Sequence, residues 1–515
     1  MEFPKDNKTG KVSTTSTNIK IWKAFLNPLL EKDCSYSKEA QDLLSELEAL
    51  PSNEWRHGYI PIVNRMVELQ ARTSPVDCLQ MCQAGLKELH DTMLFRSQPI
   101  SQAMMCETRE GTPSISSRVI RGNGEAKMQN PLVELPMVDE TNSNKILSGD
   151  DLEQQLKIWA DYGCMESDAA DHGSAMAKSL VTSNVLEDKI FVLLGATSEL
   201  GPALPLADWG ATIVAISRPG SKLEALIDHV KNLKSNCTMV VPHLVKEVGS
   251  NDDQQSGVDV MEYVPEVAQW IASLYPQKRL VLVPLIYLDG EANVRAVTAM
   301  DAIVSFVMQK RPDDVALAYW ISPGTPHVIS KDAALDAKSR FESSIPLWHR
   351  PFRILPSFGF QRNPISYQAT TDLYVYNGLA DLQGPNYALS KCIQQWRAML
   401  YSPKFIDTLD SPKAWAVSAN VSPPARTQSM ISHSTVSTWL NGISAFPPMT
   451  VFQPDTARVL MTLLLLHDLS SNQSPTDRHP MTLFVDNSVH GGCWRMPYDL
   501  NSVGTISFVL GKLKG

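Results

Sequence analysis

Between residues 190 and 218 the chain runs Ile-Phe-Val-Leu-Leu into Gly195, continues Ala-Thr-Ser-Glu-Leu-Gly201, and passes a short helical stretch to Gly210. A second apolar run, Ala-Thr-Ile-Val-Ala-Ile, then stops at Ser217-Arg218. Few folds accept that order. An unbroken apolar run leaves no polar face for water, so it reads as a strand covered on both sides, as parallel strands are. Glycine at its end permits a tight turn, and the N–H groups opening the next helix can receive an anion. Strand, glycine turn, helix, strand is the opening unit of a dinucleotide fold, with Gly195, Thr197, Ser198 and Gly201 around the pyrophosphate. An acidic residue ending the second strand would accept the ribose hydroxyls of NAD. Ser217 and Arg218 stand there instead, and an arginine suits a 2′-phosphate, so NADP is the expected cofactor.

Further segments continue the pattern. Residues 279–286, Arg-Leu-Val-Leu-Val-Pro-Leu-Ile, read as a buried parallel strand; Asn293 opens a helical stretch to about Lys310, and residues 315–321 form another strand ending at Ser322. Residues 414–421 are a strand leading into Ser422-Pro423-Pro424-Ala425-Arg426-Thr427, and Leu483-Phe-Val-Asp486 with Gly491-Gly492 reads as a closing strand. The expected class is α/β, a doubly wound parallel sheet of Rossmann type with an N-terminal, mainly helical extension. Downstream, Gly384-Pro-Asn-Tyr387-Ala-Leu-Ser-Lys391 puts a phenol and an ammonium on one helical face. A phenol ordinarily ionises near pH ~10, and a nearby cation favours the phenolate, which would make Tyr387 a usable general acid.

With these motifs, residues from about 187 to about 500 resemble the short-chain dehydrogenase/reductase superfamily. The resemblance implies reduction of a carbonyl with NADPH: Tyr387 as proton donor, Lys391 lowering its pKa and binding the nicotinamide ribose, Ser322 holding the carbonyl oxygen, and Asn293 holding a water that relays protons to Lys391. It also implies that Pro423 and Thr427 cover the nicotinamide. Glu199 replaces the middle glycine of the superfamily's turn, and its carboxylate would repel a pyrophosphate if it pointed inward. Ser322-Pro323, the Tyr387-Ala-Leu-Ser-Lys391 phrase with Trp396, and the missing Asn-Asn-Ala-Gly tract after Ile286 look like the ketoreductase domain of type I fatty acid synthases of fungal and mycobacterial kind. That likeness implies a 3-oxoacyl thioester, free or linked to an acyl carrier, and a homo-oligomer or a larger synthase assembly. Other readings are a reductase of a polycyclic or isoprenoid ketone, or a degenerate reductase kept as a scaffold or regulatory subunit.

Composition narrows the class without choosing within it. The 515 residues, 43% hydrophobic and 20% charged, supply ample core. The net charge of −9 and the lack of a basic, aromatic-laced stripe give no footprint for nucleic acid. The longest strongly apolar run, 459–466, is too short to span a bilayer. Cysteines at 34, 78, 82, 106, 164, 237, 392 and 493 have no zinc spacing and read as reduced thiols, pointing to an intracellular, cytoplasmic rather than organellar, setting. Glu166, Asp168, Asp171 and His172 read as a solvated helical face, and no metal site is expected.

Three parts follow. Residues 1–20 are expected to be a disordered tail. Residues 21–186 form a helical extension, helical to about 100, with an irregular arm over 101–148 and one long helix over 150–180. Residues 187–515 form the reductase domain. The interval from Ser322 to Tyr387 is much longer than the superfamily's, through an insertion at about 327–385. It carries Phe341, Trp348, Phe352, Phe358, Phe360, Tyr367, Tyr374 and Tyr376 among prolines. Such aromatics suit either a wall over a large apolar substrate or an arm buried against a neighbouring subunit.

Overall fold

Seven strands make one sheet: β1 (Ile115–Arg121), β2 (Lys189–Leu194), β3 (Thr212–Ile216), β4 (Thr238–Leu244), β5 (Arg279–Pro284), β6 (Val315–Ala318) and β7 (Val417–Ser418). In space their order is β7-β6-β5-β2-β3-β4-β1. The computed structural model describes residues 1–5, 10, 12–32, 35–105, 114–124, 133–138, 143–182, 184–245, 255–343, 346–354, 359–405, 414–471, 473 and 476–514. Strands β2 to β7 pair in parallel, and β1 runs antiparallel to β4 from Ile115↔Leu244 to Arg121↔Thr238. The protein is therefore α/β with a mostly parallel sheet. From central β2 the chain builds outward through β3 and β4, then returns to build β5, β6 and β7 on the other side. The crossovers diverge at the carboxyl ends of β2 and β5, where such sheets open a crevice.

The apolar runs sort themselves by the two-residue period of a strand. Ile190, Val192 and Leu194 of β2 enter one core, and Phe191 and Leu193 enter the other. The first core is closed by helices Glu291–Lys310 and Pro385–Tyr401, the second by helices Ser221–Asn232 and Pro454–Ser470.

Of four N-terminal helices, Thr14–Leu30, Trp55–Arg72 and Pro75–Thr92 lie against the Pro385–Tyr401 helix, and Ser37–Ala49 packs on the first two. Local chemistry starts two of them. The Ser13 hydroxyl accepts from the Ser16 N–H at 3.2 Å, and Ser74 accepts from the Asp77 N–H at 3.1 Å with Pro75 in the first turn. Trp396 is the anchor: it stacks on Phe25 at 4.8 Å and meets Trp22 edge-on at 5.3 Å. A Cβ on Gly85 would come within 2.8 Å of its ring, so only glycine lets the Pro75–Thr92 helix approach so closely. Beside it Arg397 donates two hydrogen bonds to buried Asp301 at 2.6 and 2.5 Å, and His90 reaches the same carboxylate at 2.8 Å. Burial alone would raise the Asp301 carboxyl, but Arg397 and His90 outweigh it and hold the group at about 2.

Several expectations are corrected. The described residues among 1–20 are not a loose tail: Met1 and Phe3 are buried, Glu2 and Leu94 exchange backbone hydrogen bonds at 2.7 and 2.9 Å, and a helix begins at Thr14. The 101–148 arm supplies β1 and a hairpin, Leu135–Val138 with Asn144–Leu147, so a boundary at 187 cuts across the sheet. β1 escaped notice because an edge strand keeps polar residues toward water, as Ile-Ser-Ser-Arg-Val-Ile-Arg does. The long helix over 150–180 is two, Gly149–Tyr162 and Ser167–Thr182, broken where Gly163 takes φ 94°. In place of the closing strand at 483–486 the chain makes a 3₁₀ turn, Pro480–Phe484, started by the His479 side chain accepting from the Met481 N–H at 3.3 Å.

The 327–385 insertion forms its own layer: strands His327–Ile329, Ile365–Gln368 and Leu373–Tyr376, and helix Lys331–Ser343. Phe358 lies outside the described residues. Near the C-terminus, helices Ser434–Ile443 and Gly504–Lys514 cross backbone to backbone: a Cβ on Gly442 would fall 1.6 Å from the Ser507 carbonyl oxygen, and one on Gly511 1.8 Å from that of Thr438. Among the described residues no helix is long and apolar enough to cross a membrane.

Candidate active site

A cleft of about 1400 Å³ follows the carboxyl ends of β2, β3, β5, β6 and β7. Gly195, Thr197, Ser198, Ser217 and Arg218 line one end and Ser322, Tyr387 and Lys391 the other, and Pro423 and Thr427 also line the cleft. Of the residues expected here, Gly201 and Asn293 do not reach the cleft. Gly201 is buried, and a Cβ there would meet Leu285 and the Ser198 carbonyl at 3.1 Å, so its role is close packing. Asn293 is buried in the Glu291–Lys310 helix, where its side-chain oxygen accepts from the Leu288 N–H at 3.2 Å and braces the loop after β5.

The glycine turn is fixed by local bonds. Gly195 has φ 100°, and a Cβ would lie 2.9 Å from the Ile286 nitrogen, so the turn needs both the conformation and the smallness of glycine. The N–H groups of Gly195 and Ala196 both donate to the Ile216 carbonyl, and the Thr197 and Ser217 hydroxyls meet at 2.9 Å. Glu199 lines the cleft. Its carboxylate accepts from the Gln428 N–H at 2.6 Å, and its carbonyl accepts twice from Arg458, so it ties the turn to the segment after β7. Arg218 and Lys222 stand exposed at that end.

At the other end, Tyr387 lies in the first turn of the Pro385–Tyr401 helix, with Pro385 at its start. Ser322 follows β6 just after the Ile321↔Val421 bridge. The two hydroxyls are 2.6 Å apart, and the Gly324 N–H donates to Ser322 Oγ at 3.1 Å. Lys391 Nζ lies 5.4 Å from the Tyr287 ring centroid and 5.7 Å from that of Tyr387, and donates to Gln394 at 3.4 Å. Burial pushes the Lys391 ammonium down to about 8. Burial also raises the Tyr387 phenol, against hydrogen bonds with Ser322 and Gln383 that pull it down. The ammonium of Lys391 faces the two tyrosine rings and Gln394.

Sequence reasoning missed four contributors. Tyr287, two residues past Leu285 on the loop after β5, meets the Tyr387 ring edge-on at 6.4 Å; its place at a strand's carboxyl end was the available signal. Gln383 and, from the N-terminal helices, Trp55 and Arg56 also line the cleft, with no motif to mark them. Among the described residues the insertion's aromatics do not line it. Phe341, Trp348, Phe352 and Phe360 gather with His349, Phe446 and Tyr498 into a separate aromatic core, and Tyr374 pairs with Ile329 while its ring lies 4.8 Å from Tyr367. Leu347 and Ile354 of the same insertion remain exposed.

The acidic stretch at 166–172 is not a solvated face. Glu166 is buried, accepting from Arg495 at 2.8 Å and Ser330 at 2.7 Å, with His490 at 3.1 Å. Burial works to raise its carboxyl, yet these partners hold it at about 2. Asp168 accepts from the Asn487 N–H at 3.0 Å, and His172 stacks on His467 at 3.9 Å. Among the described residues no group of His, Cys, Asp and Glu is arranged to hold a metal ion. Cys78, Cys82, Cys164, Cys237, Cys392 and Cys493 are free and buried; Cys34 and Cys106 lie outside the described residues.

No family model matches the chain, and a search of curated proteins found no match.

Proposed function

We propose that this chain is an NADPH-dependent reductase of the short-chain dehydrogenase/reductase kind, on a Rossmann-type sheet, acting on the ketone of a large apolar substrate such as a 3-oxoacyl thioester. The observation that carries this reading is the 2.6 Å pairing of Tyr387 and Ser322 in a cleft that also holds Lys391 and the Gly195 turn. The residues fit the cofactor. Thr197, Ser198 and Ser217 offer hydroxyls along the turn, and Arg218 with Lys222 offers cations suited to a 2′-phosphate. The Ser198 and Gly201 amides already donate within the turn, so hydroxyls carry more of the pyrophosphate contact than in a glycine-rich loop. Lys391 would hold the ribose beside the nicotinamide.

Bound NADPH supplies the hydride. The rest falls to the protein. Ser322, whose oxygen already accepts from Gly324, directs its own proton toward a carbonyl oxygen. The Tyr387 O–H bond breaks as charge builds on that oxygen; the proton forms the product alcohol and the electron pair stays on the phenolate, which solvent later reprotonates. Met430, Val436, Trp439, Leu440 and Met449 give the cleft an apolar wall suited to an acyl chain. Tyr387→Phe should lower kcat for a 3-oxoacyl thioester by roughly 10²- to 10⁴-fold with NADPH binding intact. An unchanged rate would refute the reading, and absence of saturable NADPH fluorescence enhancement in the wild type would leave the scaffold alternative in its place.

A further inference from the structure

The ammonium of Lys391 has three N–H donors, and among the described residues its hydrogen-bond acceptor is Gln394 at 3.4 Å, longer than such bonds ordinarily are. A cation so placed is held by whatever else faces it. Two rings do: Nζ lies 5.4 Å from the Tyr287 centroid and 5.7 Å from that of Tyr387. Both distances fall within the range over which the negative face of a ring attracts an ammonium. The two rings also brace each other, edge to face, with centroids 6.4 Å apart and planes at 76°. The three groups form a closed triangle, and Tyr287 is the corner that comes from outside the tyrosine helix.

Tyr287 owes its place to the loop after β5. The Leu285 N–H donates to the Leu194 carbonyl at 2.8 Å, which carries the sheet's hydrogen bonding one residue past the strand. Ile286 packs so close to the glycine turn that a Cβ on Gly195 would come within 2.9 Å of it, and the Leu288 N–H donates to the buried Asn293 side chain at 3.2 Å. With residues 286 and 288 pinned on either side, the side chain between them lines the cleft. It remains 42% exposed, so core packing does not account for an aromatic residue at this position. Other charged or titratable groups line the cleft from separate elements: Asp289 on the same loop, 3.9 Å from His433; Arg56, which donates to the Leu382 and Gln383 carbonyls; and Cys493, beside Tyr387.

We propose that Tyr287 is a positioning residue for Lys391: the face of its ring holds the ammonium charged and in place beside the Tyr387 ring. The contact stands on its own geometry; its kinetic consequence rests on the reductase reading. Tyr287→Phe keeps the ring face and loses only the hydroxyl, whereas Tyr287→Leu keeps an apolar side chain and loses the face.

The test is a pH titration of Lys391 in the full chain by NMR of lysine labelled with ¹³C at Cε, with the Lys391→Met spectrum identifying the signal. Against a wild-type midpoint of about 8, Tyr287→Phe should overlay. Tyr287→Leu should titrate roughly half to one and a half pH units lower, since the ring face is worth about a threefold to thirtyfold change in the protonation equilibrium. A side chain that merely shielded the ammonium would have the opposite sign: trimming it would admit water and move the midpoint up. A Tyr287→Leu midpoint equal to or above wild type overturns the proposal, as does a Tyr287→Phe midpoint as low as that of Tyr287→Leu. With NADPH and a 3-oxoacyl thioester, the pH above which kcat/KM falls should shift in the same order across the three proteins. A wild type that reduces nothing while the Tyr287→Leu shift is present sinks the reductase reading and leaves Tyr287 in its role.

Discussion

The two ends of the cleft are made differently. The Gly195 end takes its cleft residues from one continuous stretch, its turn closed by bonds among residues 195–217 and braced through Glu199 by Gln428 and Arg458, with its cations, Arg218 and Lys222, left in water. The Tyr387 end is assembled from β6, the insertion, the tyrosine helix, the loop after β5 and the N-terminal helices, and burial moves its ionisable groups off their usual values. The comparison separates two kinds of control. At the first end, exposed charges act weakly and salt screens them; at the second, desolvation and hydrogen bonds act strongly and distant segments set them.

The sharpest way to break this contrast is to remove a support of the reacting end that touches no substrate. Asp301→Asn leaves the buried Arg397 guanidinium uncompensated and should cost about 3–5 kcal/mol of stability by denaturant unfolding. A change below about 1 kcal/mol would mean that the tyrosine helix does not depend on that pair. Next comes the turn: Gly195→Val forces a β-branched residue into φ 100° against Ile286, and should cost roughly 2–3 kcal/mol and remove measurable NADPH binding.

A pH scan sharpens the comparison further. Lys391 is lowered from 10.5 to about 8, so between those values the unfolded chain still holds the proton that the folded chain has released. Its burial penalty is therefore complete below about pH 8 and fades as pH rises toward 10.5. Lys391→Met should be more stable than wild type at pH 7, by thermal unfolding, and the gap should narrow across that window; a constant gap contradicts the desolvated ammonium. NADPH oxidation by the wild type should fall as pH rises through about 8, as the cation is lost. The smallest effect belongs to the exposed end: Arg218→Ala should weaken NADPH about tenfold at low salt and less at high salt, with NADH little changed. Equal losses for both cofactors would remove the 2′-phosphate assignment.

The same contrast governs what could be read from the residues alone. β2, β3 and β5 are legible because burial on both faces demands unbroken apolar runs, and Ser322 and Tyr387 because a strand end and a helical spacing mark them. β1 is hidden by the polarity that suits an edge, and the break at Gly163 by flanking residues that favour helix on both sides. Glu166 looked solvated because its partners, His490 and Arg495, come from the far end of the chain. Gln383 carries no pattern at all: it lines the cleft from a turn whose residues fit no motif.

Trp396 has one more consequence. Because its indole is wedged between the Thr14–Leu30 and Pro75–Thr92 helices at the back of the segment whose first turn bears Tyr387, the first hundred residues cannot be trimmed away as packaging. Transplanting the sheet and its cleft into another scaffold without them would strip a large aromatic surface bare, and the graft should precipitate before its chemistry could be assayed.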